Sequence, residues 1–136
     1  MELELNYKIR PKAHQSVRLT KKGFSYTPKN IKIYRSEIIR QTKLQLPKDY
    51  KIIETSKPII VEKLHYIFKY PNTFNKDQRS KFAYRISYPD LLDNINKAFI
   101  DALEGVVFEN DKSICHVKEL KKYYGESYGI KIKLLY

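Results

Sequence analysis

Polar and apolar positions alternate in "LELNYKI" (3–9), the period-two pattern of a half-buried first strand. "RPKAHQSVRLTKKGFSYTPK" (10–29) has no such period. Its two prolines, its glycine and its many bases make it a long basic loop or ribbon. A helix is predicted from about Asn30, just after Pro28, to about Leu46, just before Pro47. Ile31, Tyr34 and Ile38 form its apolar stripe, and Lys32, Arg40 and Lys43 project from another face. "KPIIVEKLHYIFKY" (57–70) is rich in β-branched and aromatic residues and predicts a strand, whereas "PNTFNKDQRSKFAYRISY" (71–88) is polar, basic and aperiodic and predicts a flexible loop. Leu92, Ile95, Phe99, Ala102 and Leu103 recur at helical spacing, with Gly105 at the stop position. "VVF" (106–108) then predicts a short strand, and "SICHVKELKKYY" and "YGIKIKLLY" two more around a turn at Gly125 or Gly129. The order β-α-β-α-β-β-β implies an α+β fold, a mixed β-sheet with two main helices packed on it. No repeat or linker divides residues 1–136, and the length fits a single domain.

Composition sharpens this picture. With 42% apolar residues and a mean hydropathy of -0.58, the chain has the makings of a globular core in a water-soluble protein. No apolar run approaches the roughly 20 residues that span a bilayer. The opening "MELELNYKIR" alternates, unlike a signal peptide. Cys115 is the single cysteine, which rules out an internal disulfide and a Cys-based zinc cluster and makes a reducing cytoplasm the expected setting.

Charge changes the picture most. The net charge is +12. Residues 1–89 carry 20 Lys/Arg against 7 Asp/Glu, while residues 90–136 carry 7 against 8. A surplus of this kind points to a polyanionic partner, because lysines and arginines displace counterions from phosphates. Lys12, Arg18, Lys21, Lys22 and Lys29, interleaved with Phe24 and Tyr26, form the best DNA-contact patch; Arg79, Lys81 and Arg85 form a second. The plainer alternative is a solvated basic loop.

Against that background, "YPDLLDNINKAFIDALEGVVFENDK" (88–112) gathers Asp90, Asp93, Asp101, Glu104, Glu109 and Asp111. Helical residues four apart lie nearly one above the other, so Asp93, Lys97 and Asp101 share one face and Glu104 lies close to it. Asp90 sits at the helix entrance, where the macrodipole favours a carboxylate. A chain returning past Gly105 brings Asp111 back beside Asp90 and Asp93. Crowded carboxylates need compensation, from Lys97 or from a divalent cation. Hard oxygen donors with no Cys or His beside them suit Mg2+ or Mn2+ better than zinc. Such an ion in a phosphate-binding protein bridges carboxylates to a scissile phosphate. The alternative is a helix cap and solvated ion pairs.

At these residues the chain resembles the RusA family of Holliday-junction resolvases, whose signature has the form P-D-x-D-N-x-x-K-x-x-x-D-A-L-x-G-V-x-x-x-D-D. Its counterparts here are Pro89, Asp90, Asp93, Asn94, Lys97, Asp101, Ala102, Leu103, Gly105, Val106, Asn110 and Asp111. "PKAHQSVR" (11–18) is similar to the family's basic P-K-x-x-x-x-R stretch, and "YTPK" (26–29) to the segment leading into its first helix. The resemblance implies a RusA-like homodimer that nicks four-way DNA junctions symmetrically with Mg2+. It implies Asp90, Asp93 and Asp111 as catalytic metal ligands, Lys97 as the essential lysine, and Asn94 and Asp101 as supporting residues. Two departures stand out: "DLLD" is one residue longer than D-x-D, and Asn110 replaces the first aspartate of D-D.

Other chemistries find little support. His14, His65 and His116 fit no metal spacing, Cys115 and His116 point to opposite strand faces, and there is no P-loop, G-x-G-x-x-G or G-x-S-x-G. Two other functional classes compete with a junction endonuclease. One is a non-catalytic nucleic-acid-binding protein whose acids pair with Lys97 and Lys112. The other is a Mg2+ enzyme acting on nucleotides, which leaves the basic N-terminal half unexplained.

Overall fold

The computed structural model describes residues 1–13, 18–26 and 28–136. β1 (Glu2–Tyr7) leads into a two-residue-per-arm ribbon, β2 (Arg18–Leu19) with β3 (Ser25–Tyr26). α1 (Lys29–Gln45), β4 (Ile59–Lys69), a single helical turn α2 (Lys76–Arg79) and α3 (Asn94–Leu103) follow. β5 (Ile114–Val117), β6 (Leu120–Gly125) and β7 (Gly129–Leu135) close the chain.

The sheet is mixed, as the order of elements predicts. β7 lies between β1 and β4 and is antiparallel to both. β5 and β6 run parallel to β4 and share its far side, β5 along Ile59–Val61 and β6 along Leu64–Lys69. Lys118 and Glu119 bridge the two by bonding to the β4 backbone at Val61 and Leu64. Gly125 closes β6 where a β-carbon would meet the Ile67 side chain at 2.7 Å, so the strand approaches β4 too closely for a larger residue.

Alternation puts Leu3, Leu5 and Tyr7 of β1 and Leu64, Tyr66 and Phe68 of β4 on the face that receives the helices. α1 contributes Ile31, Tyr34 and Ile38, and α3 contributes Ile95, Ala98, Phe99, Ala102 and Leu103. Phe99 is wholly buried, its ring edge-on to Tyr7 at 5.2 Å and to Tyr66 at 6.1 Å. Thr42 of α1, polar and wholly buried, is satisfied: its hydroxyl bonds Ile38 O at 2.7 Å and Tyr7 Oη at 2.7 Å.

Four sequence expectations need correction. "SICHVKELKKYY" (113–124) is not one strand but two, β5 and β6, parted at Lys118 and Glu119. "VVF" (106–108) is not a strand. It is a tight turn in which Val107 and Phe108 are wholly buried, with only isolated bridges from Phe108 to Ile53 and Glu104. Burial, not pairing, explains its apolar character. The stretch 71–88 is not formless. Asn75 and Gln78 make a reciprocal capping box around α2, and Ala83–Arg85 runs along β6 through Tyr124 N–H to Ala83 O (3.0 Å) and Arg85 N–H to Lys122 O (3.1 Å). Finally, α3 begins at Asn94, so Asp90 precedes the helix by a turn of chain.

Candidate active site

α3 and the loop that leaves it bring the acidic residues together. Asp93 takes the N-cap position of α3 with a backbone neither helical nor extended (φ −136°, ψ −87°), and its carbonyl accepts the Lys97 N–H at 3.1 Å. The turn before it is fixed by Asn96: its amide donates to Leu91 O, and its carbonyl accepts the Tyr66 hydroxyl at 2.9 Å. A core strand therefore holds the approach to the helix. Gly105, at φ +85°, ends α3 in the left-handed conformation that glycine tolerates, and its N–H reaches Phe108 O at 2.8 Å.

The returning chain is pinned next. Glu109 N–H donates to Ile53 O at 2.9 Å, and the Glu109 carboxylate accepts both the Thr55 N–H and hydroxyl at 2.8 Å. Those bonds hold the Glu109 carboxyl below its usual range. Asn110 caps the short 3-10 turn Asp111–Ser113 by accepting the Lys112 N–H at 3.0 Å. Asparagine serves that cap as well as aspartate does, which gives the departure from the family's D-D a structural role.

The result is a carboxylate cluster. Asp101 and Glu104 from the last turn of α3 and Asp111 from the return each offer an oxygen, all within 4.8 Å of one another. Asp93, Lys97, Asp101 and Asp111 line one shallow depression of about 340 Å3 along this side of α3. Asp90 is exposed and does not line it; its carbonyl accepts the Ile95 N–H at 3.3 Å. Asn94 opens the helix half-buried. The acids are uncompensated: among the described residues, none of Asp90, Asp93, Asp101, Glu104 and Asp111 has a basic side chain within 4.0 Å, and neither Lys97 nor Lys112 is ion-paired. The cap-and-ion-pair alternative therefore finds no partner for these groups.

The basic residues divide by setting. Lys21, Lys22 and Lys29 are exposed around the β2–β3 ribbon and the start of α1, as are Phe24 and Tyr26. His14 and the side chain of Arg18 lie outside the described residues. Arg79 donates to Phe74 O at 3.2 Å, and Lys81 pairs with Asp77 at 3.3 Å on the surface. Arg85 lies 4.2 Å over the Phe68 ring and donates to Tyr88 O at 2.9 and 3.1 Å. Lys12 lines a second cavity with Arg85.

The family model described as Endodeoxyribonuclease RusA matches residues 6–135, nearly the whole chain. The chain belongs to the RusA family. It is accordingly an endodeoxyribonuclease of the kind that resolves Holliday junctions, a reaction that in RusA enzymes depends on a divalent metal. A search of curated proteins found no match. Among the described residues no helix is long and apolar enough to cross a membrane.

Two contributors to the site carry little signal in the sequence. Glu104 lies near the acidic face by spacing, but only the Gly105 turn reveals that it meets Asp111. Asn96 acts through a buried tyrosine thirty residues earlier, a pairing that no local pattern encodes.

Proposed function

We propose that this chain works as a homodimer that nicks opposed strands of a four-way DNA junction with Mg2+, or with Mn2+ in its place. The observation that carries the reading is the unpaired Asp101–Glu104–Asp111 cluster opening into the depression that Asp93 and Lys97 share. The donor set fits a hard cation: carboxylate oxygens only, no sulfur or imidazole, and a spacing that a small closure of two side chains brings to ligand distance. Asp111 belongs both to the family pattern and to the cluster. Asp93 is the aspartate of the D-x-D counterpart best placed to join it, with Asp90 at the margin.

When bound there, the ion would lower the pKa of an attacking water and neutralise charge on the scissile phosphate. The chain's own residues supply the rest. Lys97 presents an unpaired ammonium beside the cluster, where it can meet the charge that grows on the phosphate oxygens. Asp93 orients the water through its carboxylate, Asn96 keeps the start of α3 in place, and Asn94 helps orient the metal ligands. Asp101 would share the ion with Asp111, which offsets the repulsion between the two carboxylates. Lys12, Arg18, Lys21, Lys22, Lys29, Arg79, Lys81 and Arg85 position the DNA backbone. Two such sites related by a two-fold axis produce the paired cuts that resolution requires. The reading treats residues 1–136 as one RusA-like endonuclease domain acting in the cytoplasm.

The test is cleavage of a synthetic four-way junction. Purified protein with Mg2+ should give paired symmetric nicks, and EDTA or Asp111→Asn should abolish cutting while binding persists. A protein that binds the junction but cuts it under neither Mg2+ nor Mn2+ would end the proposal and favour the non-catalytic binding reading.

A further inference from the structure

Three basic residues line a cavity that the acidic site does not use. Arg10 and Lys12, from the chain leaving β1, and Arg85, from the ribbon beside β6, line a space of about 280 Å3 closed by Asn30 of α1, Phe68 and Tyr88. No carboxylate lines it among the described residues, and none of the three bases has an acidic side chain within 4.0 Å. Elsewhere the fold neutralises bases that lie close to acids: Lys63, Lys81, Lys121 and Lys133 are all paired. Like charges gathered around one cavity repel unless an anion joins them.

Two of the bases are also held in place. The Arg10 guanidinium lies 5.2 Å over the Tyr128 ring, and Arg85 is stacked on Phe68 with two N–H groups on Tyr88 O. A guanidinium has five N–H donors, so three of Arg85 remain for a ligand. α1 begins at the same cavity with no acid in its first turn, so the positive end of its dipole adds to the field. Tyr88 in the cavity wall is two residues from Asp90 and five from Asp93, so a group seated here is tied to the acidic site by a short length of chain.

We propose that this cavity seats one backbone phosphate of the DNA strand, held by Arg10, Lys12 and Arg85. The inference rests on the DNA-cleaving function above and adds a fixed anchor to it. The loop lysines attract the polyanion diffusely, whereas this pocket sets which phosphate lies over the carboxylates.

The experiment is junction binding in EDTA, which removes any dependence on the metal reading. Single methylphosphonates, which lack the phosphate charge, are walked along the strand, and affinity is measured against salt. Wild-type protein should show one position per bound strand where neutralisation weakens binding well beyond its neighbours. Arg10→Gln with Lys12→Gln should abolish the sensitivity at that position and lower the slope of log K against log salt by about 0.9 per site. Lys21→Gln with Lys22→Gln should lower the slope without removing the sensitive position. Equal sensitivity at every position in the wild type would overturn the anchor without any variant. So would a sensitive position that survives in the Arg10/Lys12 variant while circular dichroism shows it folded. A 5′-mononucleotide that competes as well as the junction would reassign the pocket to free phosphate esters. Failure of the wild type to bind junction DNA at all would remove the proposed function, and this anchor with it.

Discussion

Replacing Asp111 by Asn should stabilise the metal-free protein and abolish its response to metal. Asp111 takes part in two of the three carboxylate pairs in the cluster, whose oxygens lie within 4.8 Å. Two unit charges at 4.8 Å repel by about 3.5 kcal/mol at an effective dielectric of 20 and about 0.9 kcal/mol in water. Asp111 is exposed and its partners are half-buried, so the watery end of the range applies and the relief totals about 2 kcal/mol. For a chain of this length that corresponds to a rise in Tm of roughly 6 °C. Mg2+ at a hundred times its Kd should stabilise the wild type by about 2.7 kcal/mol and leave the variant unmoved. Differential scanning calorimetry at low salt, with EDTA and then with Mg2+, reads both effects. Solvated surface acids with no shared ligand predict the rise in EDTA but no response to metal. Equal melting in EDTA combined with no metal response in the wild type would refute the reasoning.

Other outcomes follow from the same geometry. Lys97→Gln should lower the nicking rate by about 10²–10³-fold, the loss typical of a group aimed at transition-state charge, while junction affinity in EDTA changes far less. Asn96→Ala leaves the Tyr66 hydroxyl and Leu91 carbonyl without their partner and should cost about 1–3 kcal/mol in urea unfolding, together with slower cutting. Phe99→Ala should cost about 3–5 kcal/mol, because the ring is wholly buried between Tyr7 and Tyr66. Glu109 has its carboxyl lowered by Thr55, so its contribution is complete above the unfolded value of about 4.3 and disappears as pH falls through the lower folded value. Urea melts of wild type and Glu109→Gln should therefore differ at pH 7 and converge in stronger acid.

Much of this architecture is legible in the sequence because period and punctuation agree. Alternation marks β1, helical spacing between Pro28 and Pro47 marks α1 to within a residue at either end, and Gly105 marks the stop of α3. What escapes is structure whose cause is distant. An apolar triplet reads alike whether it pairs or plugs a core, and "VVF" plugs. Helical spacing alone sets no start, so the residues before Asn94 look helical until the Asn96 and Tyr66 bonds reveal a turn. The capping box at Asn75 and Gln78 is a local signal in the sequence, hidden by its polar surroundings. The site divides in the same way. Asp93, Lys97 and Asp101 fall on one helical face by arithmetic, whereas the meeting of Asp111 with Asp101 and Glu104 depends on the path of the returning turn.

That path is hung from elsewhere. Through Ile53 and Thr55, the backbone and side chain of Glu109 suspend the third acid from the connection between α1 and β4. Lengthening that connector by a residue would shift the geometry of the carboxylate cluster although it contains no member of it, while an insertion near α2 would leave it alone. Within the family, the spacer after the first helix should therefore tolerate substitution far more readily than a change in length.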